Sequence, residues 1–157
     1  MKPIEFIAAL SGPAVASMAK TGIPASFTVA EGALESGWAT SKLAVVGKNL
    51  FGVKADASWH GATVSMPTRE FVGGQWVMVP ALWRSYGDWS SCIDDHAAFL
   101  LQNKRYRGCF AYRDGPSFAT AVAAAGYATD PNYAALIKQL ITQHGLAALD
   151  SQKGPLS

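Results

Sequence analysis

Two adjacent glycines, Gly73 and Gly74, separate the β-prone segments Thr68–Val72 and Gln75–Val79, while the sequence on either side of this unit has helical spacing. A glycine pair supplies the positive φ angles of a two-residue hairpin turn, so a small antiparallel lobe inserted between helices is predicted. Before it, Phe6, Ile7, Leu10, Val15 and Met18 recur at helical spacing. Ser11, Gly12 and Pro13 are expected to end one helix and start another, with Gly22 closing the pair. Phe27, Ala30, Leu34 and Trp38 fall on one stripe of a helix predicted to run to about Trp38, with Gly37 helping to end it. Ser41–Val46 suits a short helical turn ended by Gly47.

After the hairpin, Ile93, Ala97, Leu100 and Leu101 mark a helix following Ser90, and Phe118–Ala125 marks another closed by Gly126. A last helix is predicted with Asp130 as cap and Pro131 in its first turn, burying Leu136, Ile137, Leu140 and Ile141 and ending at Gly145. The fold class is α+β, mostly helical, with a cleft where the hairpin lobe meets the helices. Residues 1–146 are read as one domain and residues 147–157 as a flexible C-terminal tail.

Half of the 157 residues are hydrophobic and only 15% are charged, which excludes a disordered chain. The net charge of +2 comes from scattered Lys and Arg with no run that would follow a phosphate backbone, so no nucleic-acid partner is expected. No apolar stretch approaches the roughly 20 residues needed to span a bilayer, and Gly12 and Pro13 interrupt the first segment. Membrane insertion is not expected, nor is a secretory leader. A target outside the cytoplasm would then be reached through a phage pore or a dedicated secretion apparatus. A monomer is expected, with Cys92 and Cys109 as free thiols. His60, His96 and His144 are dispersed, so no metal or other cofactor is implied.

Chemistry is suggested by Glu31 and Glu35. They stand one helical turn apart beside the apolar stripe, since successive helical residues turn by about 100°. Partial burial and a like-charged neighbour both disfavour ionisation. A carboxyl that holds its proton toward neutral pH is what a general acid needs to protonate a sugar leaving oxygen. Spacing alone equally allows two solvated glutamates at a helix margin.

The ordered blocks Ala33-Leu34-Glu35-Ser36-Gly37-Trp38, Ser41-Lys42-Leu43-Ala44, Asn49-Leu50-Phe51-Gly52-Val53-Lys54 and Gly126-Tyr127-Ala128-Thr129-Asp130-Pro131-Asn132-Tyr133 narrow the choice. Together they resemble the glucosaminidase family of glycoside hydrolases, which includes flagellar peptidoglycan hydrolases, bacterial autolysins and some phage lysins. The resemblance runs from about Ile4 to Gly145. It implies a lysozyme-like helical fold with a β-lobe across the cleft, and peptidoglycan glycan strands as substrate. By position Glu35 matches the family's catalytic glutamate. Glu70 matches a second acidic residue on the lobe, where strand alternation sets it on one face with Thr68 and Val72. Tyr127 matches a tyrosine at the site, whose hydroxyl would orient the acetamido group or a water.

Phe51, Trp59, Trp83 and Tyr133 are the residues expected to contact sugar, because aromatic rings stack on the apolar faces of sugars. Each of them also fits a packing role. Asp130 is given no catalytic role. Glu31 departs from the family, which often has glutamine there, and is expected to face outward or serve structure. If it faced the cleft it would raise the proton affinity of Glu35 or help bind the sugar.

The expected activity is endo-hydrolysis of the β-1,4 bond following N-acetylglucosamine, with Glu35 as general acid. A muramidase would use the same acid with the sugars shifted by one. A glycan-binding or assembly module that has lost turnover is the alternative of another class.

Overall fold

The computed structural model describes residues 1–153. Its elements in chain order are helices α1 (Pro3–Thr21), α2 (Ala25–Ser36) and α3 (Lys42–Gly47), strands β1 (Thr63–Val72) and β2 (Gln75–Arg84), then helices α4 (Trp89–Gln102), α5 (Gly115–Ala124) and α6 (Tyr133–Gln143). Two 3-10 segments, Lys104–Ala111 and Leu146–Ser151, follow α4 and α6. The fold is mostly helical with a two-stranded hairpin, as the periodicities predict.

The centre of the core is α2. Every residue from Ala25 to Ala33 is buried, so this helix is surrounded rather than laid on one face. The stripe read from the sequence understates this, because Ser26, Thr28, Gly32 and Ala33 let other elements approach on the remaining sides. Phe27 meets Phe118 of α5 edge to face at 4.8 Å. The α1 side chains Phe6 and Leu10 lie against Gly32.

The first helix is continuous, contrary to the break expected at Ser11–Pro13. Pro13 removes one backbone donor, but the buried stripe of Phe6, Leu10, Ala14 and Ser17 runs straight through it. Burial along one unbroken face outweighs the lost bond. The second helix stops at Ser36 rather than Trp38. Gly37, Trp38 and Ala39 all take left-handed φ values of 57°, 60° and 63°. Two of these are unfavourable for residues with a Cβ, and the turn is held by Ser36, whose hydroxyl donates to the Gly32 carbonyl at 2.5 Å and accepts from Ala39 N at 2.8 Å.

The hairpin pairs from Thr63↔Arg84 to Val72↔Gln75 about Gly73 and Gly74, whose φ values are 58° and 81°. Both strands are longer than predicted, and each continues past a proline. Pro67 and Pro80 face each other. Counting from the closing pair Val72↔Gln75, they occupy a position whose N–H groups do not enter the ladder, so the sheet passes them intact. At its base Arg84 ties the lobe down. Its guanidinium holds Asp95 of α4 at 2.9 and 3.1 Å and donates to the Lys54 carbonyl at 3.1 Å.

Helix α6 begins two residues later than expected, with Asn132 at its cap position. Asp130 does not cap it but accepts from Asn132 N at 2.8 Å within the preceding turn. The buried stripe is Tyr133, Ile137 and Ile141, leaving Leu136 exposed and Leu140 half-buried. The expected flexible tail is also corrected, as far as Ser151. Leu146 and Leu149 are buried, and the Asp150 carboxylate accepts from Ser26 N (2.8 Å), Ser26 Oγ (2.6 Å) and Gly115 N (2.9 Å). It satisfies donors at the starts of both α2 and α5, which is why the chain stays ordered there. Residues 154–157 of that tail lie outside the described residues. Cys92 and Cys109 are free and buried.

Candidate active site

A cavity of about 550 Å³ opens beside the C-terminal half of α2, walled by Glu31, Leu34, Glu35, Phe51, Tyr127 and Tyr133, with Asp130 and Leu136 at its edge. Glu35 sits in the last turn of α2 and is exposed to the cavity. Partial burial raises its carboxyl above the ordinary 4.5.

Glu31, one turn earlier, points inward and is fully buried. This overturns the outward placement expected for it and fits the structural alternative. Its Oε1 accepts from the Tyr127 hydroxyl at 2.8 Å, and its Oε2 accepts from the Tyr133 hydroxyl. Burial pushes its carboxyl up to about 7; the charge of Glu35 adds to this, and the two tyrosine hydroxyls act against it.

The network continues into α4. His96 Nε2 lies 2.7 Å from the Tyr127 hydroxyl oxygen. Tyr127 gives its one hydroxyl hydrogen to Glu31, so His96 must supply the hydrogen of the other bond, which fixes its tautomer as Nε2–H. Burial drives His96 down to about 4, keeping it neutral near physiological pH. Its ring is stacked face to face on Phe51 at 3.9 Å. Phe51 in turn is placed by Asn49, whose buried amide donates to the Val53 and Arg84 carbonyls at 2.9 Å each and accepts from Val53 N at 3.1 Å. The Asn49–Lys54 block is thus a side-chain-braced loop that sets one wall of the cavity.

Of the residues singled out from the sequence, Glu35, Phe51, Tyr127 and Tyr133 meet at this one cavity. A second cavity of about 380 Å³ adjoins it through Phe51 and Tyr127 and is lined further by Lys54, Arg84 and Phe99. A third, of about 360 Å³, shares Arg84 and Phe99 with the second and reaches Trp59. Trp59 is stacked under the Arg84 guanidinium at 4.9 Å and donates its indole N–H to the Ala62 carbonyl at 2.9 Å.

Glu70 and Trp83 are not brought to the Glu35 cavity. Glu70 lies on the hairpin face shared with Thr68, as strand alternation predicts, but it pairs with Lys54 at 3.9 Å. Trp83 donates to the Met66 carbonyl at 3.1 Å, under the Lys54 ammonium, and lines none of the three cavities. Reading the sequence missed the inward turn of Glu31 and the part played by His96. The His96 signal was present: Cys92, Ile93, His96, Ala97 and Leu100 form one buried helical stripe.

A partly buried carboxyl on a helix end, facing an open cleft with aromatic walls and a hairpin lobe nearby, defines a glycoside hydrolase of lysozyme-like architecture. The chain belongs to the glucosaminidase family, whose model, described as mannosyl-glycoprotein endo-beta-N-acetylglucosaminidase, matches residues 12–146. It is 36% identical over 143 residues to the peptidoglycan hydrolase FlgJ of Salmonella typhimurium, covering 88% of this chain and 45% of that protein. It is 35% identical over 150 residues to the exo-glucosaminidase LytG of Bacillus subtilis, covering 92% of this chain and 52% of that one. The chain therefore spans about half the length of these curated relatives. Among solved structures, a C-terminally truncated glycoside hydrolase domain of Salmonella typhimurium FlgJ superposes with a TM-score of 0.79 at 35% identity, over 92% of this chain and 98% of that one.

Proposed function

We propose that this domain hydrolyses the β-1,4 bond following N-acetylglucosamine in peptidoglycan glycan strands, with Glu35 protonating the departing sugar oxygen. The observation that carries the reading is the placement of Glu35. It is the one acidic group of α2 open to the cavity, and its proton affinity is raised by burial without a fixed partner. A general acid in such a setting keeps its proton until the leaving oxygen develops charge.

Tyr127 and Tyr133 are committed to Glu31 through their hydroxyls, so their contribution to the sugar is the ring surface and the shape of the wall. Phe51 and exposed Leu136 add apolar surface on either side. Glu70 is the proposed second carboxylate, stabilising positive charge on the sugar or activating water. It is paired with Lys54 in the free protein, so it would serve this role only once bound glycan draws the hairpin toward the helices.

The chain of adjoining cavities that share Phe51, Tyr127, Arg84 and Phe99 supports an endo mode, since a groove continuing past the acid accommodates several sugars. A relative bearing the name exo-glucosaminidase keeps end-trimming as the competing mode. Borohydride reduction of digests of purified peptidoglycan, followed by mass spectrometry, tests the bond and the mode together. Reduced N-acetylglucosamine on fragments of mixed length supports the proposal; reduced N-acetylmuramic acid would make the domain a muramidase, and release of single sugar units alone would make it exo-acting.

A further inference from the structure

The 3-10 segment after α4 sets three cations, Lys104, Arg105 and Arg107, around Tyr106, a run too short to track a phosphate backbone. With three residues per turn, positions three apart share a side. Tyr106 and Cys109 are buried on the inner side, whereas Lys104 and Arg107 fall on one exposed side and Arg105 is exposed beside them. Among the described residues none of the three is paired with a carboxylate. Like charges this close repel, and an anionic partner would relieve the repulsion. Tyr106 fastens the segment to the cleft. Its ring meets Tyr127, a wall of the first two cavities, edge to face at 5.9 Å, and Phe99, which lines the second and third, at 6.2 Å. A Cβ at Gly126 would stand 3.7 Å from Arg105 Nη1, so this guanidinium rests beside the loop that delivers Tyr127. Gln102, at the end of α4, lines the third cavity two residues before Lys104. The cations therefore flank the groove that the sugars are proposed to occupy.

We propose that Lys104, Arg105 and Arg107 bind carboxylates on the side arm of N-acetylmuramic acid while the glycan strand lies in the cleft. The proposal rests on the reading of peptidoglycan as the substrate. Every second sugar of such a strand carries a lactyl ether whose carboxyl is either free or extended by a peptide, so negative charge stands out to the side of the strand. The groove itself has little with which to meet it. The first cavity has Glu31, Glu35 and Asp130 at its wall and no cation among its described lining residues. In the adjoining cavities Arg84 is held by Asp95 and Asp56, and Lys54 pairs with Glu70. An anionic strand is repelled by the acidic cavity, and unpaired cations beside the groove offset that repulsion and set the direction of approach.

The test is binding of labelled soluble glycan strands, measured by fluorescence anisotropy in a Glu35→Gln background, with and without Lys104→Gln, Arg105→Gln and Arg107→Gln together. A control chain carries Lys42→Gln, Lys138→Gln and Lys153→Gln, which remove the same charge from exposed sites elsewhere. The first triple variant should raise Kd for peptide-bearing strands roughly tenfold, as three exposed pairs of modest strength would, and the control by less than about twofold. The difference should vanish in about 1 M salt, and on strands whose carboxyls have been converted to amides. Strands stripped of their peptides by an amidase separate the two sources: a difference that persists on them assigns the lactyl carboxylate, and one that disappears assigns the peptide carboxylates. An unchanged Kd, an equal loss in the control, or an equal loss on amidated strands would overturn the proposal. In the chain without the triple substitution, the Arg105 and Arg107 side-chain N–H signals in ¹⁵N NMR should shift with native strands and stay in place with amidated ones; unmoved signals would overturn the proposal even if the variant did not fold. Native and amidated strands bound and cut alike by wild type would overturn it with the substrate reading intact, whereas strands neither bound nor cut by wild type would overturn both.

Discussion

The Tyr127 hydroxyl meets the Glu31 carboxylate at 2.8 Å across 96 residues of sequence, and this bond joins the loop ahead of α6 to the middle of the central helix. The same oxygen receives the Nε2–H of His96, so one phenol serves two buried groups. Tyr127→Phe keeps the ring and strips both bonds. Leaving a buried carboxyl oxygen and a buried imidazole N–H unsatisfied should destabilise the fold by about 3 kcal/mol. Urea unfolding measures this, and a loss under about 0.5 kcal/mol would mean that the bonds are not formed in solution.

The two titratable groups joined through Tyr127 pull stability in opposite directions with pH. Glu31 is raised from 4.5 to about 7, so the folded state holds a proton that the unfolded chain has lost, and its contribution, full below pH 4.5, is lost as pH rises toward 7. His96 is lowered from 6.5 to about 4, so its contribution, full above pH 6.5, is lost as pH falls toward 4. Between those limits the slopes offset each other in wild type. Glu31→Gln should expose the His96 slope, with stability rising as pH goes from 4 to 6.5. His96→Gln should expose the Glu31 slope, with stability falling from pH 4.5 to 7. Thermal melts across this range check both signs, and parallel profiles for the two variants would contradict the assignment.

Much of this arrangement could be read in the chain before any coordinates. The Gly73-Gly74 turn, the helical stripes and the block around Glu35 locate the lobe, the core helices and the rim of the cavity. What stayed hidden depends on contacts distant in sequence. Glu31 looks like a margin residue on a helical wheel, and only Tyr133, supplied from α6, gives its second oxygen a partner and makes its burial tolerable. Pro13 reads as a boundary, and the predicted strands stop short of Pro67 and Pro80, because local rules are blind to a continuous buried face and to the alternation of ladder positions. The ordering of Leu146–Ser151 rests on Asp150 finding Ser26, which lies 124 residues away.

Asp150 closes the starts of two helices at once. Asp150→Ala should destabilise by roughly 1–4 kcal/mol, since single helix caps are worth about 0.5–2 kcal/mol. Truncation after residue 146 should do at least as much damage, because it also removes the buried Leu149. Calorimetry of the three proteins checks this, and an unchanged melting temperature for the truncated chain would restore the reading of a loose tail.

Gly115 lies where these contacts converge. A Cβ there would stand 1.9 Å from Ser26 Oγ and 3.1 Å from the Phe27 backbone nitrogen. Gly115→Ala must displace Ser26 from Asp150 or push α5 off α2, with an expected loss of about 3 kcal/mol. Adding Ser26→Ala in the same chain should restore part of it, as measured by urea unfolding, and no restoration would show that Ile141 Cδ1, at 2.9 Å, or the Phe27 backbone is the obstacle.

Glu35 as the proton donor is tested most directly by digesting purified peptidoglycan with wild-type and Glu35→Gln proteins whose folding has been matched by circular dichroism. Removing a general acid should slow release of reducing ends by about a thousandfold, with glycan binding preserved. Undiminished hydrolysis by Glu35→Gln would contradict the assignment and move the chemistry to another carboxyl.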